Sequence, residues 1–435
     1  MRCVVMWFRR DLRLADHPAL TAAASTGLPV VPLFVVDPAF AGAGAPRREY
    51  MNRALHSLDR SMGDALVYRS GDPAQIVPRF AAEVGATSVF VSRDAGPYGR
   101  DRDKTVAERL RADNRDLIGR GSPYAVGPAT VLKDDGTPYA MFTPFFKRWR
   151  THRVAPPLDQ AEVEWLGAPV VDCDGPPPAV EPGCSLPDIG EAAAWARWSS
   201  FVEGSLDRYD TVRDVPAIDG TSQMSADLRW GVVHPRQLLA DLSPGPAHDT
   251  FTSELAWRDF YADVLHRRPD SAWANLDARM NAMQVDSDAA ALGRFAAWSA
   301  GRTGFPIVDA GMRQLLATGW MHNRVRMIVA SFLVKDLHLP WQWGARHFMS
   351  HLIDGDLASN SHGWQWAAGT GTDAAPYFRV FNPTAQAKRF DPDAHYVSRW
   401  IPEFHTSDYP SPIVDHAVER AEALRRYGLV AGSTR

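Results

Sequence analysis

The sequence predicts an α/β domain followed by an all-helical one, and three observations carry that expectation. Apolar, β-branched runs alternate with helical patterns over the first 128 residues. Prolines crowd the stretch 154–188 (Pro156, Pro157, Pro169, Pro176, Pro177, Pro178, Pro182, Pro187) and forbid a continuous helix or central strand there. Beyond residue 189 strand signals vanish and apolar residues recur at helical spacing. At 435 residues the chain exceeds the usual size of one core. The expected division is 1–128 as a doubly wound α/β domain, 129–188 as a connecting linker and 189–435 as a helical domain.

Within the first domain, residues 4–8, 30–36, 66–68 and 89–91 read as short buried strands. Residues 18–25, 47–62, 73–84 and 100–112 read as helices, two of them opened by Pro or Asp-Pro. Strands alternating with helices imply a parallel sheet covered on both faces. No GxGxxG follows the first strand and no GxxxxGK[ST] occurs, so no phosphate loop is expected. Ligands still sit at the carboxyl ends of such strands, and PYGRDRD at 97–103 is a candidate edge for one. In the helical half, 191–203, 235–242, 252–265, 292–300, 308–318, 323–337 and 342–352 read as helices.

The composition is ordinary for a soluble globular protein, with 45% hydrophobic and 23% charged residues. A net charge of −4 does not announce a nucleic-acid binder, although binding needs only a local basic patch. Cys3, Cys173 and Cys184 form no CxxC pair, which fits a reducing cytoplasm. MRCVVMWFRR reads as a strand, not a signal peptide, and no apolar run nears the roughly 18 residues of a membrane span. Of 15 tryptophans, all but Trp7 lie at or beyond Trp149, so aromatic chemistry belongs to the C-terminal part.

The densest chemistry is DGDLASNSHGWQW at 354–366, with GTGTD and YFRVFNP close behind. Asp354, Asp356, Asn360, Trp364 and Trp366 suit a pocket for a large flat ring; the plain alternative is a Trp-rich core helix. GTSQMS at 220–225 offers hydroxyls on a glycine-led turn, either a phosphate cradle or a capped turn. Glu254, Trp257, Arg258 and Tyr261 share one helical face. Arg326 and Asp354 are candidates for an ion pair, and Arg324 for a phosphate contact. His347, His351 and Asp354 have the spacing of a two-His, one-carboxylate metal face, a minor rival without HExxH; GxSxG is absent too.

Together these segments resemble the photolyase/cryptochrome family, most closely its class I cyclobutane pyrimidine dimer photolyases. The resemblance runs from WFRRDLR at 7–13 to about Pro412 and is densest from GFPIVDA at 304–310 to Asn382-Pro383. It implies an antenna domain joined to a helical domain holding FAD, and light-driven electron transfer from reduced anionic FAD to a dimer flipped out of DNA. By position, Tyr209, Thr221, Ser222, Met224 and Ser225 resemble the cofactor-phosphate shell. Asp354, Asp356 and Asn360 would line the flavin, Asn360 at ring nitrogen N5, with Arg326 paired to Asp354 and Phe251 where many relatives carry Trp. Glu254, Trp257, Asn323, Met327 and Trp366 would form the dimer pocket, with Glu254, Asn323 and Arg258 also touching the cofactor. Arg213, Arg258, Arg324 and Arg379 would hold DNA phosphates.

Asn360 and His322-Asn323 resemble dimer-repair enzymes more than plant-type photoreceptors or (6-4) repair enzymes. The competing reading is a cryptochrome-like photoreceptor that binds FAD without repair. Residues 97–103 resemble the branch with a deazaflavin antenna more than the folate branch. Two departures stand out. Trp364 and Trp341 match the first two members of the family's electron relay, but no aromatic stands near Asp288 for the third, which leaves Trp298 or Trp343. The loop FHTSDY at 404–409 is also short. No membrane, obligate partner or metal is expected, and the chain reads as a cytoplasmic monomer acting on damaged DNA.

Overall fold

The structure, a computed structural model, describes residues 2–168, 171–374 and 379–432. Pro169 of the linker and the Tyr377-Phe378 pair of the quoted motif lie outside them. Five parallel strands open the chain: β1 (Cys3–Phe8), β2 (Val30–Val36), β3 (Val67–Ser70), β4 (Ala86–Val91) and β5 (Asp116–Gly119). Their order is β3-β2-β1-β4-β5, with Val5 opposite Val31 and Val89. This is the doubly wound arrangement, whose order reverses between β1 and β4. The fifth strand was not expected. Asp-Leu-Ile-Gly is too short to show a period, and it pairs only at the sheet edge, Leu117 against Val89. The helices between strands are α1 (Pro18–Ala24), α2 (Ala45–Ser61), α3 (Pro73–Glu83) and α4 (Pro97–Ala112).

The expected linker contains a helix, α5 (Phe142–Trp149), which is a correction. Phe142, Phe145 and Trp149 are buried at i, i+3 and i+7, and Pro144 sits in the first turn, where its missing N–H costs nothing. The prolines that hide this helix all follow it in sequence.

The remainder is helical: α6 (Glu191–Gly204), α7 (Tyr209–Val212), α8 (Ser225–Trp230), α9 (Pro235–Ala240) and α10 (Pro246–Arg267). There follow α11 (Ala289–Ser299), α12 (Pro306–Thr318), α13 (Asn323–Lys335), α14 (Trp341–His351) and α15 (Leu357–Ala368). Last come α16 (Pro383–Phe390), α17 (His395–Trp400) and α18 (His416–Gly432), none of which the apolar spacing announced. Helix α10 begins six residues before the expected start, because Pro246 is tolerated at the first helical position. Among the described residues no helix is long and apolar enough to cross a membrane.

Period-two alternation joins the halves. Cys3, Val5 and Trp7 of β1 pack under α3 and α4, whereas Val4, Met6 and Phe8 share a core with Trp198, Trp230 and Phe251 of the helical part. At the seam Gly231 ends α8 with φ +66°, and a Cβ there would lie 2.2 Å from the carbonyl oxygen of Arg10. Only glycine satisfies both conditions. The close approach lets the segment after β1 reach the helical half: Leu12 N–H donates to Trp230 O, and buried Arg13 donates to Gly231 O.

Candidate active site

A cavity of about 510 Å³ lies among α7, α8, α10, α13 and α15. Helix α10 contributes Phe251, Glu254, Trp257 and Arg258; α13 contributes Asn323, Arg324, Arg326 and Met327. From α15 come Asn360, Trp364 and Trp366, with Asp354 and Asp356 just ahead of it. Tyr209, Ser222, Met224 and Ser225 close one end. Thr221 faces an adjoining cavity of about 300 Å³ instead, and Trp341 and Arg379 lie outside the lining. Spacing of i, i+3 and i+4 brings Glu254, Trp257 and Arg258 of α10 to one surface, and spacing of i and i+4 does the same for Asn360 and Trp364 of α15.

The acids are fixed by cations. Arg326 Nη2 lies 2.9 Å from Asp354 Oδ2, the pair expected from the sequence. Asp356 caps α15 by accepting Ser359 N–H at 3.1 Å, and it accepts from Arg10 Nη2 at 3.0 Å, with Arg229 Nε 3.8 Å away. Burial alone would raise its pKa, but these guanidiniums hold the carboxyl far below the usual range. Burial and the neighbouring Arg10 push Arg229 down to about 9. Neither Arg10 nor Arg229 had been singled out. Arg10 sits in the quoted WFRRDLR motif, while Arg229 lies four residues past Ser225 and carried no signal of its own.

Phe251 is enclosed by Trp198, Phe201 and Tyr209, with ring centroids 5.3–5.4 Å away, and burial raises the Tyr209 phenol above its ordinary value. Asn360 donates from its amide nitrogen to Ala345 O at 3.0 Å, which leaves its carbonyl oxygen for the cavity. A Cβ built on Gly363 meets nothing within 4 Å, and the buried Trp364 indole nitrogen has no partner among the described residues. An acceptor oxygen, paired acids, hydroxyls on a turn and open space over a helix fit a large, flat, hydrogen-bonding ligand with phosphates. The residues therefore fit FAD.

Three of the four expected phosphate cations are engaged within the protein. Arg213 Nη1 is 2.7 Å from Glu254 Oε1, and Arg324 chelates Asp214 at 2.6 and 3.2 Å. Arg258 turns inward: it donates to Pro123 O and Leu228 O and stacks over Tyr124. Arg379 is exposed.

Behind the cavity, the rings against Trp364 among the described residues are Phe348 at 5.0 Å and Trp298 at 6.0 Å. Among the described residues Trp341 has no ring against it; its N–H donates to Asn275. Trp298 lies 5.7 Å from Phe295, which lies 5.4 Å from Trp343. Gly344 makes this packing possible, since a Cβ there would sit 2.1 Å from the Trp364 ring. The His347 and His351 rings lie 4.2 Å apart, tilted by 35°, but Asp354 is held by Arg326, so the three do not converge. Among the described residues no group of three His, Cys, Asp or Glu side chains is placed to hold a metal.

A second cavity, of about 710 Å³, opens at the carboxyl ends of β1, β2 and β4, where the strand order reverses. Trp7, Phe34, Asp37, Asp94, Tyr98 and Arg102 line it, so the 97–103 run does border a cavity. Arg10, Arg229 and Asp356 form its wall toward the helical half; Arg229 and Asp356 line both cavities.

Residues 251–408 match the FAD binding domain of DNA photolyase, and residues 4–162 match the DNA photolyase domain. A deoxyribodipyrimidine photo-lyase of Halobacterium salinarum is 37% identical, with 98% of this chain and 99% of that protein covered. A bacterial class III photolyase from Agrobacterium tumefaciens superposes with a TM-score of 0.89 at 34% identity, covering 99% of this chain and 98% of that one. A cryptochrome from Synechocystis superposes at 0.88 with 26% identity, covering 98% and 99%. Full-length identity at this level, together with both domain matches, places the chain in the DNA photolyase family, with the family's FAD-binding domain in its helical half.

Proposed function

We propose that the chain repairs cyclobutane pyrimidine dimers in DNA under blue light. What carries this reading is convergence: Glu254, Trp257, Asn323, Met327 and Trp366, from three helices, line the same cavity as Asp354, Asp356 and Asn360. When bound in its reduced anionic form, FAD supplies the light-excited electron that opens the cyclobutane ring and accepts it back. The protein's own groups do the rest. Trp257 and Trp366 form apolar walls that take an extruded pair of bases out of water. The Glu254 carboxylate accepts from a pyrimidine imide N–H, Asn323 offers an amide, and Met327 packs a soft thioether against the pair. Asn360 presents its carbonyl to a ring N–H, and Arg326 keeps Asp354 in place.

Trp364 and Trp341 are the first two members of an electron relay, and Trp298, whose ring lies 6.0 Å from Trp364, is a candidate for the third. The cavity at the strand ends suits a second chromophore, with a deazaflavin preferred to a folate, divided from the flavin site by Arg10, Arg229 and Asp356. Three free cysteines fit a cytoplasmic setting, and a monomer is the working assembly. Arg213, Arg324 and Arg379 are the phosphate contacts; Arg258 belongs to the cavity wall. Arg379→Ala is expected to reduce the slope of log affinity against log salt by about 0.9, measured by DNA titration at several salt concentrations. An unchanged slope would take Arg379 off the DNA surface.

The second reading, a photoreceptor that binds FAD without repair, is favoured by the likeness to a cryptochrome. Blue-light illumination of the reduced holoprotein with dimer-containing DNA separates the two: dimers disappear under the repair reading and persist under the other.

A further inference from the structure

Phe142 lies against Trp257 with ring centroids 3.7 Å apart and planes within 10°. Trp257 lines the cavity and Phe142 does not, so the stack covers the indole face turned away from it. Phe142 is itself buried, stacked on Phe146 at 5.5 Å and edge-on to Phe260 at 5.9 Å. Phe260 and Tyr261 complete the enclosure of Trp257 at 5.7 and 5.2 Å. The Phe142 backbone is also tied down. Its N–H donates to Asp373 Oδ2 at 3.2 Å, and the Thr372 hydroxyl donates to Ala140 O. Asp373 and Thr372 follow Gly369, the C-cap of α15, and α15 carries Trp366. The two aromatic walls, on separate helices, are thus linked through the start of α5.

We propose that Phe142 is a positioning residue that fixes the plane of Trp257 so that Trp257 and Trp366 flank a pyrimidine dimer. This rests on the reading of the cavity as a lesion site. An indole at a cavity mouth rotates about its side-chain torsions, and ordering it on binding weakens affinity. A parallel ring 3.7 Å behind it removes that freedom beforehand. A residue that only filled core volume would be replaceable by leucine. Phe142 is not.

The test uses the holoprotein and three substitutions: Phe142→Leu, which keeps apolar bulk without a ring, and Phe142→Tyr and Phe142→Trp, which restore one. For Phe142→Leu the Kd and KM for dimer-containing oligonucleotide should rise about threefold to tenfold. FAD content, affinity for undamaged DNA and kcat at saturating substrate should stay unchanged, and Phe142→Tyr or Phe142→Trp should recover most of the loss. Wild-type lesion affinity in Phe142→Leu overturns the proposal. So does an equal loss for damaged and undamaged DNA, or a leucine variant depleted of FAD, since either marks a merely structural role. A wild-type protein with no preference for damaged DNA would instead sink the lesion-site reading, and the proposal with it.

Discussion

Glu254→Ala is expected to lower affinity for dimer-containing DNA, and repair at subsaturating DNA, about tenfold to a hundredfold while leaving FAD content near normal. A hydrogen bond to a charged group contributes about 1.5–3 kcal/mol, which converts to that range. Its place supports the expectation. Glu254 stands one helical turn from Trp257, faces the cavity, and is held 2.7 Å from Arg213 at the mouth. Truncation removes the acceptor for the dimer and frees Arg213, so affinity for undamaged DNA should hold or rise slightly. Lesion selectivity therefore falls further than lesion affinity. Glu254→Gln keeps an acceptor oxygen and should land between the two. Binding to damaged and undamaged oligonucleotides, with flavin absorbance per protein as control, reads all three quantities. A variant purified without flavin would assign Glu254 to the cofactor instead.

Asp356→Ala is expected to cost about 3–5 kcal/mol and to strip flavin from the protein, because it removes the carboxylate that faces both Arg10 and Arg229 and leaves Arg10 only the more general influence of Asp94. The Asp356 side chain is 12% exposed, and Arg10 and Arg229 are 20% and 14% exposed, so solvent relieves little of the loss. Loss of the α15 cap adds about 1 kcal/mol. Asp356→Asn retains a capping oxygen without the charge and should do less damage. The pH dependence follows from the direction of the shift. The folded-state pKa is depressed, so the carboxylate's contribution is fully present above the unfolded value near 4 and lost only as pH falls below it. Wild-type flavin retention should show no loss from this group between pH 5 and 8. Thermal unfolding and flavin content of both variants check the prediction; an alanine variant with normal Tm and colour would show that Arg10 and Arg229 are neutralised elsewhere.

What the sequence revealed, and what it hid, divides by the range of the interaction. The flavin-side motif was readable because its signals are local: Asp356 at the cap, Gly369 at the end, and Asn360, Trp364 and Trp366 on the turns between. The Arg326–Asp354 pair was also anticipated, although 28 residues separate the partners. Pairings set by three-dimensional approach were not. Arg10 reaches Asp356 across 346 residues because Gly231 admits the chain. Arg258, which its residue type and position suggest as a phosphate ligand, donates instead to Pro123 O and Leu228 O. Trp298 was one of two suggestions for the third relay position, and the place of the Trp364 ring beside it depends on the bare backbone at Gly344. Phe142 was invisible because its neighbours in sequence suggested only a connector. Strand boundaries near β3 and β4 were cut short where serine, threonine and arginine interrupt the apolar run.

The central claim is that one cavity holds the flavin and the flipped-out dimer side by side. The most direct measurement is ultraviolet absorbance of oligothymidylate carrying cyclobutane dimers, mixed with fully reduced protein and exposed to blue light, with a dark sample beside it. The account predicts that absorbance in the thymine band recovers in the light and stays flat in the dark. Tight binding of the damaged strand with no recovery under illumination would contradict it.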